Sequence, residues 1–561
     1  MMDALRKKVF SSMISGGTKL IRKLATLNNS AVQVNRELLS DILKKNAGTE
    51  FGAAHGFGEI HTPEEYRERV RVSKYEDYKP YFARMMEKGE KNLLFASDVA
   101  HYFVTSGTTG VEKYIPITNE TLKLMSSFAT FYSFGLIAQE LGDIWTDGAL
   151  FVLTKVRLGK SAHGTPISNV SARDMSSLGP AYRAMMNIAP DEAVFASGNY
   201  DTRYINARAV LSCPDISEFN SSYVSWQLEF MRYIEDNWEM LVRDIEKGVI
   251  DPSVELPEGV RTSLLQKIQP NGNRAAFLRR EFEKGFQEPI IPRIWPKFAC
   301  LTAACGGGFA RYFDQYKRYL GDGANIYCYG YTASEGVFSV PFALNSTESV
   351  LLPQSVFFEF VPEDQADLEH TLFMEDLEVG GRYRVIVTTP SGLYRYDMAD
   401  IIEVKGFIGE CPRIEFLHRV DMTLGMFGEH VTGTEIENLF TNTFGELDAE
   451  LVDYSAYTEI LEGGKGRYVL MAELRGQAAL PNDETIKARL WQKFRQNNEA
   501  VDRLAARGTL LPPRFCRLRN GTYEAYREMI RVKKGSANQM KPPHILKDEA
   551  QINFFKQHIE A

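Results

Sequence analysis

The stretch Val104-Thr105-Ser106-Gly107-Thr108-Thr109-Gly110-Val111-Glu112-Lys113 gathers hydroxyls, glycines and one lysine directly after an aromatic run, His101-Tyr102-Phe103. Glycines let backbone N–H groups turn toward an anion with no side chain in the way. Ser106, Thr108 and Thr109 add hydroxyl donors, and Lys113 adds a mobile point charge. This is equipment for holding a polyphosphate. The loop is not a Walker A motif, because no Gly-Lys-Ser/Thr closes it, and it is not a Gly-x-Gly-x-x-Gly turn. Taken alone, such a cluster is more often an ordinary turn. Two later motifs reverse that balance: Tyr327-Cys328-Tyr329-Gly330-Tyr331-Thr332-Ala333-Ser334-Glu335-Gly336, and Tyr394-Arg395-Tyr396-Asp397-Met398-Ala399-Asp400 running on to Phe407.

The elements that must carry these motifs are legible in outline. Apolar spacing at Leu38, Leu39, Ile42 and Leu43 predicts an amphipathic helix over 35–45. A second long helix is expected from Thr118 to Leu141, opened by a Thr-Asn-Glu capping signal and dense in aromatics at Phe128, Phe131, Tyr132 and Phe134. Short apolar runs predict buried strands at 149–154, 298–304, 324–331, 356–361 and 383–389, with helices between them. That alternation indicates a layered α/β fold. Later the pattern becomes a small α+β unit: a helix over 434–444, a hairpin of 451–460 and 467–475 turning at Gly463-Gly464-Lys465-Gly466, a polar helix over 484–506 and a strand at 514–518.

The three motifs, in this order and spacing, resemble the acyl-adenylate-forming superfamily, whose loops read roughly TSGTTGxPK, YGxTE and YRTGD. A narrower likeness covers about residues 35 to 545. Tyr75-Glu76-Asp77-Tyr78-Lys79-Pro80-Tyr81, Asn237 to Ile245 and Gly535 to Pro543 resemble segments of one branch, the Gretchen Hagen three family of acyl acid amido synthetases, and the chain looks like a bacterial-type member. The resemblance implies an ATP- and Mg²⁺-dependent ligase that turns a carboxylic acid into an acyl-AMP and hands the acyl group to an amine, with an amino acid as the expected acceptor. It implies β- and γ-phosphate contacts from Ser106, Gly107, Thr108, Thr109 and Lys113, and a Mg²⁺ ligand in Glu335, a hard oxygen donor. Thr332 or Ser334 would meet the α-phosphate. Tyr331 can stack on adenine or simply pack, and Gly307 in Ala304-Cys305-Gly306-Gly307-Gly308 would let adenine approach the backbone. Asp400 would accept the ribose hydroxyls, while Arg395 and Asp397 read as structural. Lys541 would reach the α-phosphate and stabilise the adenylation transition state. Arg419 in Arg419-Val420-Asp421 stands where the superfamily hinges, which predicts a large domain over 1–420 and a small mobile lid over 421–561.

The chain departs from the plant enzymes in three places. Its first loop is one residue shorter than SSGTSxGxxK, Ala333 replaces a serine, and Ala399 replaces a glycine. These changes bear on which acid and which acceptor are used. Two other readings compete: a ligase that uses coenzyme A or a carrier thiol, and a nucleotide-binding homologue without catalysis. Retention of Lys113, Glu335, Asp400 and Lys541 argues against the latter. The aromatic helix hints at a hydrophobic or aromatic acyl group, although such a stripe is more often plain core.

Bulk properties set the outer bounds. At 561 residues the chain exceeds what one core usually serves. A net charge of −8 argues against a nucleic-acid partner, and no apolar run approaches the ~20 residues of a membrane helix. The six cysteines (213, 300, 305, 328, 411 and 516) form no zinc spacing and no disulfide framework. A reducing cytoplasm is the expected compartment. The basic N-terminus reads as a surface helix, with no continuous apolar core for export. No obligate protein partner is evident.

Overall fold

The computed structural model describes residues 2–106, 112–156, 158–170, 179–196, 200–420, 423–427, 429, 431–447, 449–462, 464–475, 481–534 and 543–560. The chain packs into two compact units. The larger contains the described residues up to Phe416 apart from Ala399–Ile401, and the smaller contains Ala399–Ile401 and those from Leu417 onward.

In the larger unit, three of the expected apolar runs join Ile216–Tyr223, a mostly polar strand that the sequence did not announce, in a four-stranded parallel sheet of order Ala149–Leu153, Ile216–Tyr223, Cys300–Ala304, Asn325–Cys328. Helices such as Val224–Lys247 and Gly272–Phe282 pack with it in a shared core. A strand covered on both faces favours apolar residues, which is why the three expected segments read as runs, while Ile216–Tyr223 instead buries the polar Ser217, Glu218 and Ser221. A six-stranded sheet has the order Ser339–Pro341, Ser349–Leu351, Cys411–Arg419, Tyr396–Ile408, Arg382–Thr388, Phe357–Pro362. A third sheet pairs Val99–Ser106 antiparallel with Glu112–Thr118, so the phosphate-type loop is the connection of a hairpin.

The expected helix from 118 runs through three segments, Asn119–Ser126, a π-turn at Ser127–Tyr132, and Ser133–Leu141. The Ser133 hydroxyl donates back to the carbonyls of Ala129 (3.0 Å) and Thr130 (2.9 Å), which accommodates the wider turn. The aromatic stripe is mostly core. Phe128, Tyr132 and Phe134 are buried, and Phe134 meets Phe10 and Trp145 edge-on at 5.2 and 4.8 Å. Only Phe131 of the four is substantially exposed, at 39%. The N-terminal helix Met2–Leu27 is not a free surface helix: Phe10 and Leu24 are buried, and it crosses the Ser133–Leu141 helix at Gly17 and Gly135. A Cβ on Gly135 would lie 2.5 Å from the Gly17 carbonyl carbon, so the crossing requires glycine on both sides.

The smaller unit is built on Glu450–Ile460 and Gly466–Arg475, an antiparallel pair, with Arg514–Leu518 parallel to the second. Both faces are covered. Leu470, Ala472 and Leu474 join a core with Phe440 and Leu490, while Val469 and Met471 join another with Tyr523, Tyr526 and Phe555. The polar helix expected over 484–506 is two helices, Asp483–Asn497 and Glu499–Ala506. Asn498 breaks it by turning extended and capping the second, accepting the Val501 N–H at 3.0 Å. The turn glycine Gly463 lies outside the described residues. Residues following 542 pair at both sheet margins: Ile545 bridges Ala456 on the first strand, and Ile559 bridges Leu518 on the last.

Candidate active site

Lys113 lies on the strand Glu112–Thr118, opposite Thr105, and Ser106 ends the partner strand opposite Glu112. Gly107, Thr108 and Thr109 lie outside the described residues. The Lys113 ammonium sits over the ring of Tyr75, 5.2 Å from its centroid. The Tyr75 hydroxyl accepts the Tyr114 N–H at 3.0 Å. Burial pushes the Tyr75 phenol above its ordinary pKa, and the carboxylates of Glu76 and Glu335 act in the same direction. Tyr75 opens the helix Tyr75–Ala83, within the branch-type segment noted above. Its part in the site was not anticipated, because a single aromatic at a helix start carries no periodic signal.

Glu335 and Ser334 form the two-residue turn of a hairpin in which Thr332–Ala333 pairs with Gly336–Val337. Glu335 is buried, Ser334 half-buried and Thr332 exposed. Tyr331 packs its ring near Phe338 (4.7 Å) and Phe416 (5.8 Å), and its N–H donates to the Ser339 hydroxyl at 2.7 Å. Gly307 follows the buried strand Cys300–Ala304 with φ +55°, a conformation that glycine adopts freely. Beneath this edge, the Tyr329 hydroxyl donates to Asn220 (2.9 Å), and the Asn220 amide donates to Glu218 (3.1 Å). Trp145 donates to the same carboxylate at 2.6 Å. Burial raises the pKa of this wholly enclosed Glu218. No motif spans Glu218 or Asn220, so nothing local in the sequence marks them.

In the smaller unit, Asp400 is buried within the strand Tyr396–Ile408 and pairs with Arg419 at 3.2 Å. The structure thus brings these two expected residues together. Asp421 and Met422 of the expected hinge lie outside the described residues, as does Lys541. Arg395 and Asp397 are structural: Asp397 pairs with Arg384, and Arg395 with Glu359. The six cysteines are free, five of them buried. Among the described residues no helix is long and apolar enough to cross a membrane.

Ala399, beside Asp400, holds φ +54°. A side chain in this left-handed region costs ~1–2 kcal/mol that glycine does not incur. Ala399→Gly should therefore raise unfolding stability by about 0.5–1 kcal/mol, after the added chain entropy of glycine is subtracted. Denaturant unfolding measures this, and an unchanged or lower midpoint would remove strain as the account of this position.

The profile of the GH3 family N-terminal domain matches residues 20–325, that of the central domain 349–419, and that of the C-terminal domain 434–550. Relatives include the indole-3-acetic acid-amido synthetase GH3.8 of Oryza sativa subsp. indica, 25% identical over 96% of this chain and 92% of its own. Another is the probable indole-3-acetic acid-amido synthetase GH3.1 of Arabidopsis thaliana, 26% identical over 94% and 91%. The solved acyl acid amido synthetase GH3.15 in complex with 2,4-DB superposes with a TM-score of 0.83 at 22% identity, covering 97% of this chain and 96% of its own, which fixes the fold. The class is that of an enzyme, a ligase that joins an acid to an amine through an adenylate. The chain belongs to the GH3, or Gretchen Hagen three, family.

Proposed function

We propose that the chain uses ATP and Mg²⁺ to activate a small carboxylic acid and acylates an amine, an amino acid foremost. The observation that carries this reading is the seat of Lys113 over the ring of Tyr75, a residue of the segment that resembles the amide-forming branch. The donor set fits the cofactors. Among the described residues no cluster of three or more His, Cys, Asp or Glu could cage a metal. The buried carboxylate of Glu335 suits Mg²⁺, which is commonly held by one or two carboxylates together with substrate phosphates. Mg²⁺, when bound there, would neutralise charge on the departing pyrophosphate.

The protein's own groups do the remainder. Ser106, Gly107, Thr108, Thr109 and Lys113 hold the β- and γ-phosphates, and Thr332 or Ser334 donates to the α-phosphate. Gly307 and Tyr331 flank the adenine, and Asp400, aligned by Arg419, accepts the ribose hydroxyls. No enzyme nucleophile is required, since positioning and charge stabilisation suffice for this transfer. Residues 1–420 form the large domain, and 421–561 form a lid whose Lys541 reaches the α-phosphate. The attacking amine must be neutral, so amide formation should rise with pH toward the amine's own pKa. The cytoplasm is the proposed compartment, in keeping with six free thiols.

Asp400→Ala should weaken ATP binding by roughly 1.5–3 kcal/mol, the worth of hydrogen bonds to a charged group. Calorimetric titration of the folded variant tests it, and unchanged affinity would remove the ribose role. The acceptor is tested by competition: ATP, Mg²⁺, an accepted acid, and equal amounts of mixed amino acids and coenzyme A. An amide is the expected product. A dominant thioester would overturn the acceptor and leave activation standing.

A further inference from the structure

The parallel sheet of the larger unit buries a carboxyl group that adenylation leaves without a task. Glu218 accepts from the Trp145 indole at 2.6 Å, from the Asn220 amide at 3.1 Å and from the Thr302 hydroxyl. None of these three donors carries a charge, so they oppose the cost of burying the carboxylate without cancelling it. The chain that leads away from Glu218 has a direction. Asn220 commits its amide N–H to the carboxylate and turns its carbonyl to Tyr329, whose hydroxyl donates to it at 2.9 Å. With its proton committed to Asn220, the Tyr329 oxygen acts as an acceptor.

Register places these groups at one end of the sheet. Asn220 pairs with Val152 on one side and Thr302 on the other, and Thr302 pairs with Tyr327. Tyr329 lies two residues beyond Tyr327, where its N–H continues the ladder to the Ala303 carbonyl at 3.1 Å. The strand Cys300–Ala304 runs between Tyr329 and Asn220, so the tyrosine side chain reaches across it, carrying its hydroxyl toward the Ala149–Leu153 side. There Thr154, two residues beyond Val152 and buried, has a hydroxyl with no hydrogen-bond partner among the described residues. Ligands of open parallel sheets lie beyond the carboxyl ends of the strands. Gly307 and Tyr331, read above as flanking adenine, follow two of these same strands. An acid attacking the α-phosphorus must come within about 3–3.5 Å of it, which puts the acyl group beside these turns.

We propose that the acid this chain activates carries a hydrogen-bond donor, a hydroxyl or amino substituent, which the Tyr329 oxygen accepts. Asn220 and Glu218 are positioning residues that fix the phenol's proton, and Thr154 offers the substituent a second polar contact. This rests on the activation reading given above. The test is ATP–pyrophosphate exchange on the full chain with paired acids: hydroxy- and aminobenzoates against benzoate, the corresponding phenylacetates against phenylacetate, and the corresponding hexanoates against hexanoate. In at least one pair the substituted acid should exceed its parent in kcat/KM by about tenfold or more, because the parent leaves the site's polar groups unpaired. Tyr329→Phe, which keeps the ring, should remove about that factor from the substituted acid and far less from the parent. Asn220→Leu and Glu218→Gln should erode the same preference, and Glu218→Gln should add nothing in an Asn220→Leu background, since it acts through Asn220. Thr154→Val should reduce the preference in part. A merely structural role would lower both acids of a pair alike. Parents that match their substituted partners throughout the panel, a preference that survives Tyr329→Phe, or equal falls for both acids would overturn the polar-acid proposal and leave activation standing. Exchange with none of the acids would overturn the activation reading and this proposal with it.

Discussion

Lys541→Ala is expected to slow acyl-adenylate formation by about 100- to 1,000-fold, the scale on which loss of one preorganised charge-stabilising donor is felt. ATP affinity should change far less. A contact made only as charge develops at the α-phosphate lowers the barrier without tightening the ground state. The second half-reaction, started from synthetic acyl-adenylate, should keep most of its rate, since its leaving group is AMP and no pyrophosphate departs. Rapid-quench measurement of each half with the purified variant separates these effects. Comparable losses in both halves would identify Lys541 as structural.

Arg395→Met should destabilise the larger unit by about 3–5 kcal/mol, the cost of leaving a buried carboxylate without its partner. Arg395 is 0% exposed and sits at φ +46°. Its Nε donates to both oxygens of Glu359 (3.0 and 3.2 Å), and its remaining donors reach the carbonyls of Arg67 (3.0 Å), Val70 (2.7 Å) and Glu369 (3.0 Å). The guanidinium thus fastens the chain around the helix Pro63–Arg69 to the six-stranded sheet. Adding Glu359→Gln should recover a good part of the loss, because a neutral amide is far cheaper to bury than a charge. The pH dependence has a definite sign. Burial already holds the Glu359 carboxyl above its ordinary pKa, with Arg395 opposing that shift. Without Arg395 the folded-state pKa climbs further, and the folded state then binds more protons than the unfolded one. The variant's deficit should therefore shrink as pH falls toward the ordinary carboxylate range and grow as pH rises through the raised folded pKa. Urea unfolding at several pH values reads this directly. A deficit independent of pH would mean that lost packing, and not the stranded charge, is the cause.

How much of this was readable from the sequence depends on the range over which each feature is decided. The strands Cys300–Ala304 and Asn325–Cys328 announce themselves because a doubly covered strand has no polar face to interrupt its apolar run. Arg395 and Asp397 read as structural within their motif, and the structure gives them ion pairs with Glu359 and Arg384 respectively. The break at Asn498 was not, although Asn497-Asn498-Glu499 contains a capping signal, because the helical periodicity on both sides outweighs one asparagine. The π-turn at Ser127–Tyr132 leaves no mark in composition. The meeting of Lys113 with Tyr75 requires two segments distant in sequence to pack together, which no local pattern encodes. Ala399 is the reverse case. Its replacement of a glycine was visible, and only the backbone angle shows why that matters.

The two short bridges made by residues after 542, Ile545 with Ala456 and Ile559 with Leu518, have a consequence for solubility. Each lies along an outer strand of the small sheet, whose unpaired backbone groups would otherwise be a template for another chain. The last stretch of the protein therefore serves as its own strand blocker on two sides at once. A chain cut after Pro542 would keep most of its core residues and present two sticky margins, so it should self-associate at concentrations where the whole protein stays dispersed.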